Sequence, residues 1–311
     1  MSSLTHGVER VPAKHLLLVA ILTLVWGFNW PVLKLGVNAM APLTFRACTL
    51  IFAAMGMLLV SRLSGDSIAV PRAWWGRVTA LAVLNIGAWN GLVLFGLQHM
   101  PAGRSSILAY TMPLWSVLFS MFLLDEPLSR RKLIGLGLGM IGMVVLLGED
   151  FENFQRSPTG ALLILGAAVC WAFGTVLLRR WKPQVPQNTL SGWMMLIGWL
   201  PLAVCAPFFD PHPIESLIHL SASGWFAVLY NIFLAGTLAH WAWFRMARTV
   251  PIAISSMSSL PVPVVGVISG MVLLGERPGI SEFIALALVL ASLAAVLLPE
   301  RRETAVTPVQ E

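Results

Sequence analysis

The sequence predicts an all-α integral membrane protein of ten transmembrane helices, arranged as two inverted five-helix repeats around a central cavity. Three observations carry this. Hydrophobic residues make up 57% of the 311 and charged residues only 11%, with a mean hydropathy of +0.80, whereas a soluble globular chain carries about 25% charge. The apolar stretches run for about 20 residues without alternation, the length a helix needs to cross a hydrocarbon core about 30 Å thick, and they are therefore not barrel strands. Finally, one segment occurs twice. PAGRSSILAYTMPLWSVLFSMFLLDEP, from Pro101 to Pro127, returns as PIAISSMSSLPVPVVGVISGMVLLGERP, from Pro251 to Pro278. Pro101 falls on Pro251, Ser105-Ser106 on Ser255-Ser256, Pro113 on Pro263, Met121 on Met271 and Glu126 on Glu276.

The spans lie near residues 15–34, 42–61, 77–98, 102–123, 132–148, 160–178, 190–208, 223–244, 251–274 and 281–298. Span 1 follows Lys14 and resembles a secretory signal, but it continues through Trp26-Gly27-Phe28-Asn29-Trp30-Pro31 with no small-residue cleavage site. It is read as a retained helix. Ser64-Gly65-Asp66 divides spans 2 and 3, Glu149-Asp150 divides 5 and 6, Pro183 to Pro186 divides 6 and 7, and Asp210-Pro211-His212-Pro213 divides 7 and 8. No connection is long enough to hold a soluble domain, so the chemistry belongs inside the bilayer or at its faces. The resulting division is 1–148 for the first repeat, 149–300 for the second and 301–311 for a cytoplasmic tail.

Five spans per repeat is an odd number, so the second repeat enters the membrane upside down relative to the first. Trp26 in span 1 then corresponds to Trp171 in span 6, and Asn90 in span 3 to His240 in span 8. Placing the N-terminus and every second loop on one side gathers fifteen of the twenty basic residues there, among them Arg130, Arg131, Lys132, Arg179, Arg180, Arg301 and Arg302. Lys34, Arg46, Arg104, Arg156 and Arg277 fall on or towards the other side. The positive-inside rule puts both termini in the cytoplasm. The net charge of +6 and pI near 9.8 follow from this bias; a basic rim facing anionic lipid accounts for them with no nucleic-acid partner.

These features resemble a known family over nearly the whole chain. The ten spans, the TrpGlyPheAsnTrpPro stretch, the proline-interrupted span 4 ending in Asp125-Glu126-Pro127-Leu128, and its echo Gly275-Glu276-Arg277-Pro278 resemble the EamA-type members of the drug/metabolite transporter superfamily. Within it the chain is most similar to bacterial inner-membrane exporters of aromatic and other neutral amino acids. The resemblance implies export of small metabolites, a central cavity, and binding residues from spans 1, 3, 4, 6, 8 and 9.

The residues themselves point to the same cavity. A proline inside a helix frees the carbonyl four residues back, and in lipid that group is tolerated only where protein or a watery cavity satisfies it. Pro31, Pro113, Pro261 and Pro263 are therefore candidate hinges or gates. Candidate substrate-binding residues are Trp26, Asn29 and Trp30 in span 1, Asn85, Trp89 and Asn90 in span 3, Ser106 and Tyr110 in span 4, Trp171 in span 6, His240 in span 8, and Ser255 and Ser258 in span 9. Spacings of three or four residues gather several of them on one helix face. An amide or imidazole at membrane depth needs a partner or water, whereas a lone Ser or Thr more often bonds its own backbone. Indole rings with a few amides suit a small, mostly apolar, neutral or zwitterionic solute.

No Asp or Glu lies in the middle of any span, and a buried carboxylate is the usual coupling device of an ion-driven carrier. The expected activity is therefore facilitated transport by alternating access. Glu126 and Glu276, at helix ends, are expected to hold gates or loops rather than carry a coupling ion. His240 is the one mid-depth group that titrates near neutral pH, so a proton-coupled drug or metabolite carrier is the main alternative. A nucleotide-sugar carrier needs cationic residues in the cavity, and only Arg46, Arg104 and Arg245 come close. No lysine follows a glycine, which excludes a GK[ST] phosphate loop, and no HExxH occurs. Cys48, Cys170 and Cys205 all lie in apolar runs without metal spacing and read as small core residues. No cofactor, metal or enzyme activity is expected. The partners are the lipid bilayer and a small-molecule substrate, with a monomer as the working state.

Overall fold

In the computed structural model, which describes residues 13–152, 158–249 and 260–297, the spans fold as helices and no strand occurs among the described residues. The helices are α1 (Ala13–Ala39), α2 (Pro42–Leu63), α3 (Arg72–His99), α4 (Ala102–Leu123), α5 (Arg130–Glu152), α6 (Thr159–Trp181), α7 (Gln187–Phe209), α8 (residues 222–249), α9 (Val262–Leu274) and α10 (Ile280–Leu297). Among the described residues, nine are long and apolar enough to cross a membrane. The exception, α9, has 13 described residues; the first part of span 9, with Ser255 and Ser258, lies outside the described residues.

The helix α1 runs beyond the predicted end at residue 34. Lys34 does not stop it because its Nζ donates to the carbonyls of Leu97 and Met100, the second at 3.2 Å. Those carbonyls close α3, where the helix dipole favours a cation. Arg104, near the start of α4, is buried, pairs with Glu282 of α10 at 3.2 Å and donates to the Leu146 carbonyl. Cys205 departs from the expected core position and is exposed on the bundle surface. It shares that surface with Phe52, Leu59, Val144 and Phe208, as a lipid-facing side requires.

The two-repeat architecture is visible in which helices touch. In the contacts, α2 packs on α7, α4 on α9 and α5 on α10. The pair α3–α6 is matched by α8–α1, α4–α6 by α9–α1, and α3–α7 by α8–α2. Exchanging each helix for the one five places away maps these pairs onto one another, as a pseudo-two-fold axis demands. The seams rest on small residues and hydroxyls, the usual means of close approach in lipid. Ser61 Oγ and Thr189 Oγ1 meet at 2.6 Å between α2 and α7. On α5, Gly135, Gly139 and Gly142 face α10, and Ser292 Oγ donates to the Gly135 carbonyl at 2.6 Å.

Both α3 and α8 change character midway. Each passes from α-helix into a π-helical stretch, over Val83–Ala88 in α3 and Tyr230–Leu238 in α8, and then returns to α. The five-helix offset exchanges α3 with α8, and the two widened stretches fall at corresponding places in the two repeats.

Candidate substrate cavity

Between the repeats lies a cavity of about 150 Å³. Its wall comes from seven helices: Trp26, Asn29 and Trp30 of α1, Arg46 and Thr49 of α2, Trp89 and Asn90 of α3, Tyr110 of α4, Trp171 of α6, Met195 of α7, and Asn231 and His240 of α8, with aliphatic residues between them.

The irregular backbone explains why these side chains reach the centre. A π turn widens the helix and tilts carbonyls away from their usual donors, and such turns are frequent at functional sites. Here side chains occupy those carbonyls. Asn90 Nδ2 donates to the Ile86 carbonyl at 2.7 Å, Asn231 Nδ2 to Ala227 at 3.1 Å, and Thr237 Oγ1 to Ile232 at 2.8 Å. His240 Nδ1 lies 3.0 Å from the Ala235 carbonyl; since a carbonyl only accepts, Nδ1 carries the proton and Nε2 is the other ring nitrogen at the wall.

The helix α4 is broken rather than kinked. It stops at Ala109, turns through Tyr110 and Thr111, and resumes at Met112. Thr111 Oγ1 donates to the Leu108 carbonyl at 2.7 Å and accepts from Trp115 Nε1 at 3.3 Å, which repairs the gap. Pro113 therefore lies in the first turn of a new helix, not inside a continuous one, where its missing N–H costs nothing. The same holds in α9, with Pro261 at the N-cap and Pro263 in the first turn. Of the four prolines only Pro31 sits within an unbroken helix.

Aromatic pairs mark the two sides of the cavity. Trp26 meets His240 edge-on with ring centres 5.6 Å apart, and Trp89 meets Trp171 at 4.9 Å. The first pair joins α1 to α8 and the second α3 to α6, which are the helix pairs that the two-fold exchanges.

Eight of the predicted residues lie on the wall: Trp26, Asn29, Trp30, Trp89, Asn90, Tyr110, Trp171 and His240. Asn85 and Ser106 do not. Asn85 is buried against α6, its Nδ2 donating to the Trp171 carbonyl at 2.9 Å, and it fills the space left by Gly174. Ser106 is fully buried between α4 and α9, donating to the carbonyls of Gly103 at 2.6 Å and Pro263 at 3.4 Å. Both are helix-packing groups that place wall residues.

Asn231 is a wall residue that the sequence reading missed, and Arg46, named there only as a cation close to the cavity, lies on the wall as well. Arg46 is 7% exposed, and its Nη1 donates to Asn231 Oδ1 at 3.3 Å. It is the fifth residue of α2, near the N-terminal end of that helix. The signal that could have found it is its place in a helix running apolar from Pro42 onward. Arg245, by contrast, is exposed and stacks over Trp241.

A lipid-embedded helical bundle of two repeats, enclosing a small aromatic and amide-lined cavity, is a membrane transporter. The chain belongs to the EamA-like transporter family, whose model matches residues 13–148 and again residues 158–298. Among its relatives is a probable amino-acid metabolite efflux pump of Salmonella typhimurium, 28% identical over 83% of this chain and 86% of that protein. The inner membrane transporter YedA of Escherichia coli is 27% identical over 90% and 91%, and the transporter YoaV of Bacillus subtilis 24% over 85% and 90%. A protein of known crystal structure shares the fold, with a TM-score of 0.67 at 23% identity over 94% of this chain and 99% of that one.

Proposed function

We propose that the protein exports aromatic or other neutral amino acids by alternating access, as a facilitator that uses no ATP. The observation that carries this is the cavity wall: four indole rings and a phenol, amides at Asn29, Asn90 and Asn231, and no acid among its lining residues. Such a wall receives an apolar or aromatic body and hydrogen-bonds a polar head. A volume of about 150 Å³ falls below the ~300–1,000 Å³ of pockets for drug-sized ligands, which favours an amino acid over a drug. Arg46 is the one arginine or lysine on the wall, which is too little cationic charge for the diphosphate of a nucleotide sugar. The names of the efflux-pump relatives from Salmonella typhimurium and Escherichia coli support the same substrate class.

In this reading the two repeats, residues 1–148 and 149–300, rock about the cavity in the bacterial inner membrane. Both termini lie in the cytoplasm, as the charge bias directs, with residues 301–311 as a tail there. Purified protein in liposomes should carry labelled neutral amino acids down their gradient without ATP or an imposed pH difference. Failure across a broad amino-acid panel would remove the substrate assignment. His240 on the wall favours one second reading, proton-coupled efflux, which the same liposomes separate: a pH gradient then drives accumulation above equilibrium.

A further inference from the structure

The cavity wall contains two buried polar atoms with no hydrogen-bond partner among the described residues, Arg46 Nε and Asn29 Oδ1, and they have opposite demands. Arg46 spends Nη1 on Asn231 Oδ1. The orientation of that amide is fixed, because Asn231 Nδ2 is committed to the Ala227 carbonyl. Nε of Arg46 is buried with no hydrogen-bond partner among the described residues. The remaining edge of the guanidinium, Nε with Nη2, is the fork whose two parallel N–H bonds match a carboxylate. No carboxylate lies within ion-pair distance of Arg46 among the described residues, no acid lines the cavity, and residues 250–259 contain none. Asp210, the buried acid near this end of α2, is taken up by the Thr44 and Ser216 hydroxyls and the His212 amide. A buried, unbalanced cation at membrane depth is costly and marks a site where an anion is received.

The second group is Asn29 Oδ1, also buried, also on the cavity wall, and without a donor among the described residues. It is an acceptor on a wall shared with Trp26 and Trp30, and indole faces attract a cation through their ring quadrupoles.

We propose that Arg46 and Asn29 form the head-group site for a zwitterionic α-amino acid. The Nε–Nη2 edge of Arg46 takes the carboxylate, Asn29 Oδ1 takes the ammonium, and the side chain lies among the indoles. This rests on the amino-acid reading and adds to it a requirement: the transported molecule must carry a free carboxylate.

The test measures binding to detergent-purified protein by ligand-dependent thermal stabilisation, using L-tryptophan, tryptamine and indole-3-propionate. Wild type should bind tryptophan best. Losing one charge-assisted fork weakens binding by roughly 10- to 100-fold, so Arg46→Gln should lose tryptophan and indole-3-propionate by that factor and leave tryptamine unchanged. Arg46→Lys, which keeps the charge and guards against a folding defect, should recover part of the loss. Asn29→Leu should weaken tryptophan and tryptamine while sparing indole-3-propionate. An equal loss of all three ligands in Arg46→Gln, or no loss of tryptophan, overturns the assignment. If wild type binds indole-3-propionate through Arg46 but no amino acid, the carboxylate site stands and the amino-acid reading falls. If wild type binds none of the three, both fall.

Discussion

The carboxylate of Glu276 holds the N-terminus of α4 through Gly103: Oε2 accepts the Gly103 N–H at 2.9 Å while Oε1 accepts that of Ala102 at 2.6 Å. The interaction crosses from the second repeat to the first and satisfies two of the amide groups that a helix start leaves open. Glycine at 103 and at 270 makes room for it, since a Cβ at either position would lie 3.3 or 2.5 Å from Glu276 Oε2. Its repeat counterpart, Glu126, instead meets Arg179 at 2.5 Å and Lys132 at 3.6 Å.

Replacing Glu276 by Gln should therefore cost about 1–3 kcal/mol, because a charged cap on two buried amides becomes a neutral one. Glu126→Gln should cost under about 1 kcal/mol, its partners being solvent-accessible. Thermal unfolding of the two variants in the same detergent gives the comparison, and equal losses would show that Glu276 is not the tie between repeats.

Asn85→Ala is expected to lower stability by about 1–3 kcal/mol, because it opens a void at Gly174 and removes one donor from the Trp171 carbonyl, which keeps Thr175 Oγ1 at 2.8 Å. Transport should fall through displacement of Trp171. A variant of wild-type stability that has lost only substrate affinity would put Asn85 back on the cavity wall.

Trp171→Ala should weaken substrate binding roughly tenfold, and Trp171→Phe by less, since the ring pair with Trp89 keeps a partner only in the second case. Paired measurements of binding and unfolding temperature decide the matter. A collapse of stability in the alanine variant with binding unchanged per folded molecule would make Trp171 a packing residue.

Pro113 starts the second half of α4 directly after the non-helical Tyr110–Thr111 turn. Alanine there lets the chain attempt a continuous helix through the break, so Pro113→Ala should slow turnover several-fold while binding changes little. Equal falls in binding and turnover would assign the break to fixed architecture and not to motion.

The number of helices and the pairing of the repeats were legible because hydropathy and a doubled segment are one-dimensional signals. Trp26, Asn29 and Trp30 could be placed on the cavity because their spacing shares a helix face and an amide at depth needs company. The π stretches left no such mark: no proline or glycine cluster announces Val83–Ala88 or Tyr230–Leu238, and the turn they add rotates the residues beyond them. Asn85 and Asn90 end in different places, one against Trp171 and the other on the wall, because residues five apart lie about 140° apart round a regular helix. Arg46 was named with Arg104 and Arg245 as close to the cavity, and only the packing separates the three: Arg46 lies on the wall, Arg104 pairs with Glu282 and Arg245 is exposed. Pro113 and Pro263 read in the sequence as prolines inside a helix, whereas each lies in the first turn of one; whether a proline kinks a helix or begins one depends on the backbone before it.

The central claim is that two repeats expose one cavity alternately to the two sides. Trans-stimulation tests it most directly: liposomes preloaded with unlabelled phenylalanine should take up labelled phenylalanine faster than empty ones, without ATP or a pH gradient, because a loaded carrier returns carrying substrate. Trp171→Ala should require roughly tenfold more phenylalanine for the same effect. Uptake by wild type that is indifferent to preloading, or that requires ATP, would contradict the account.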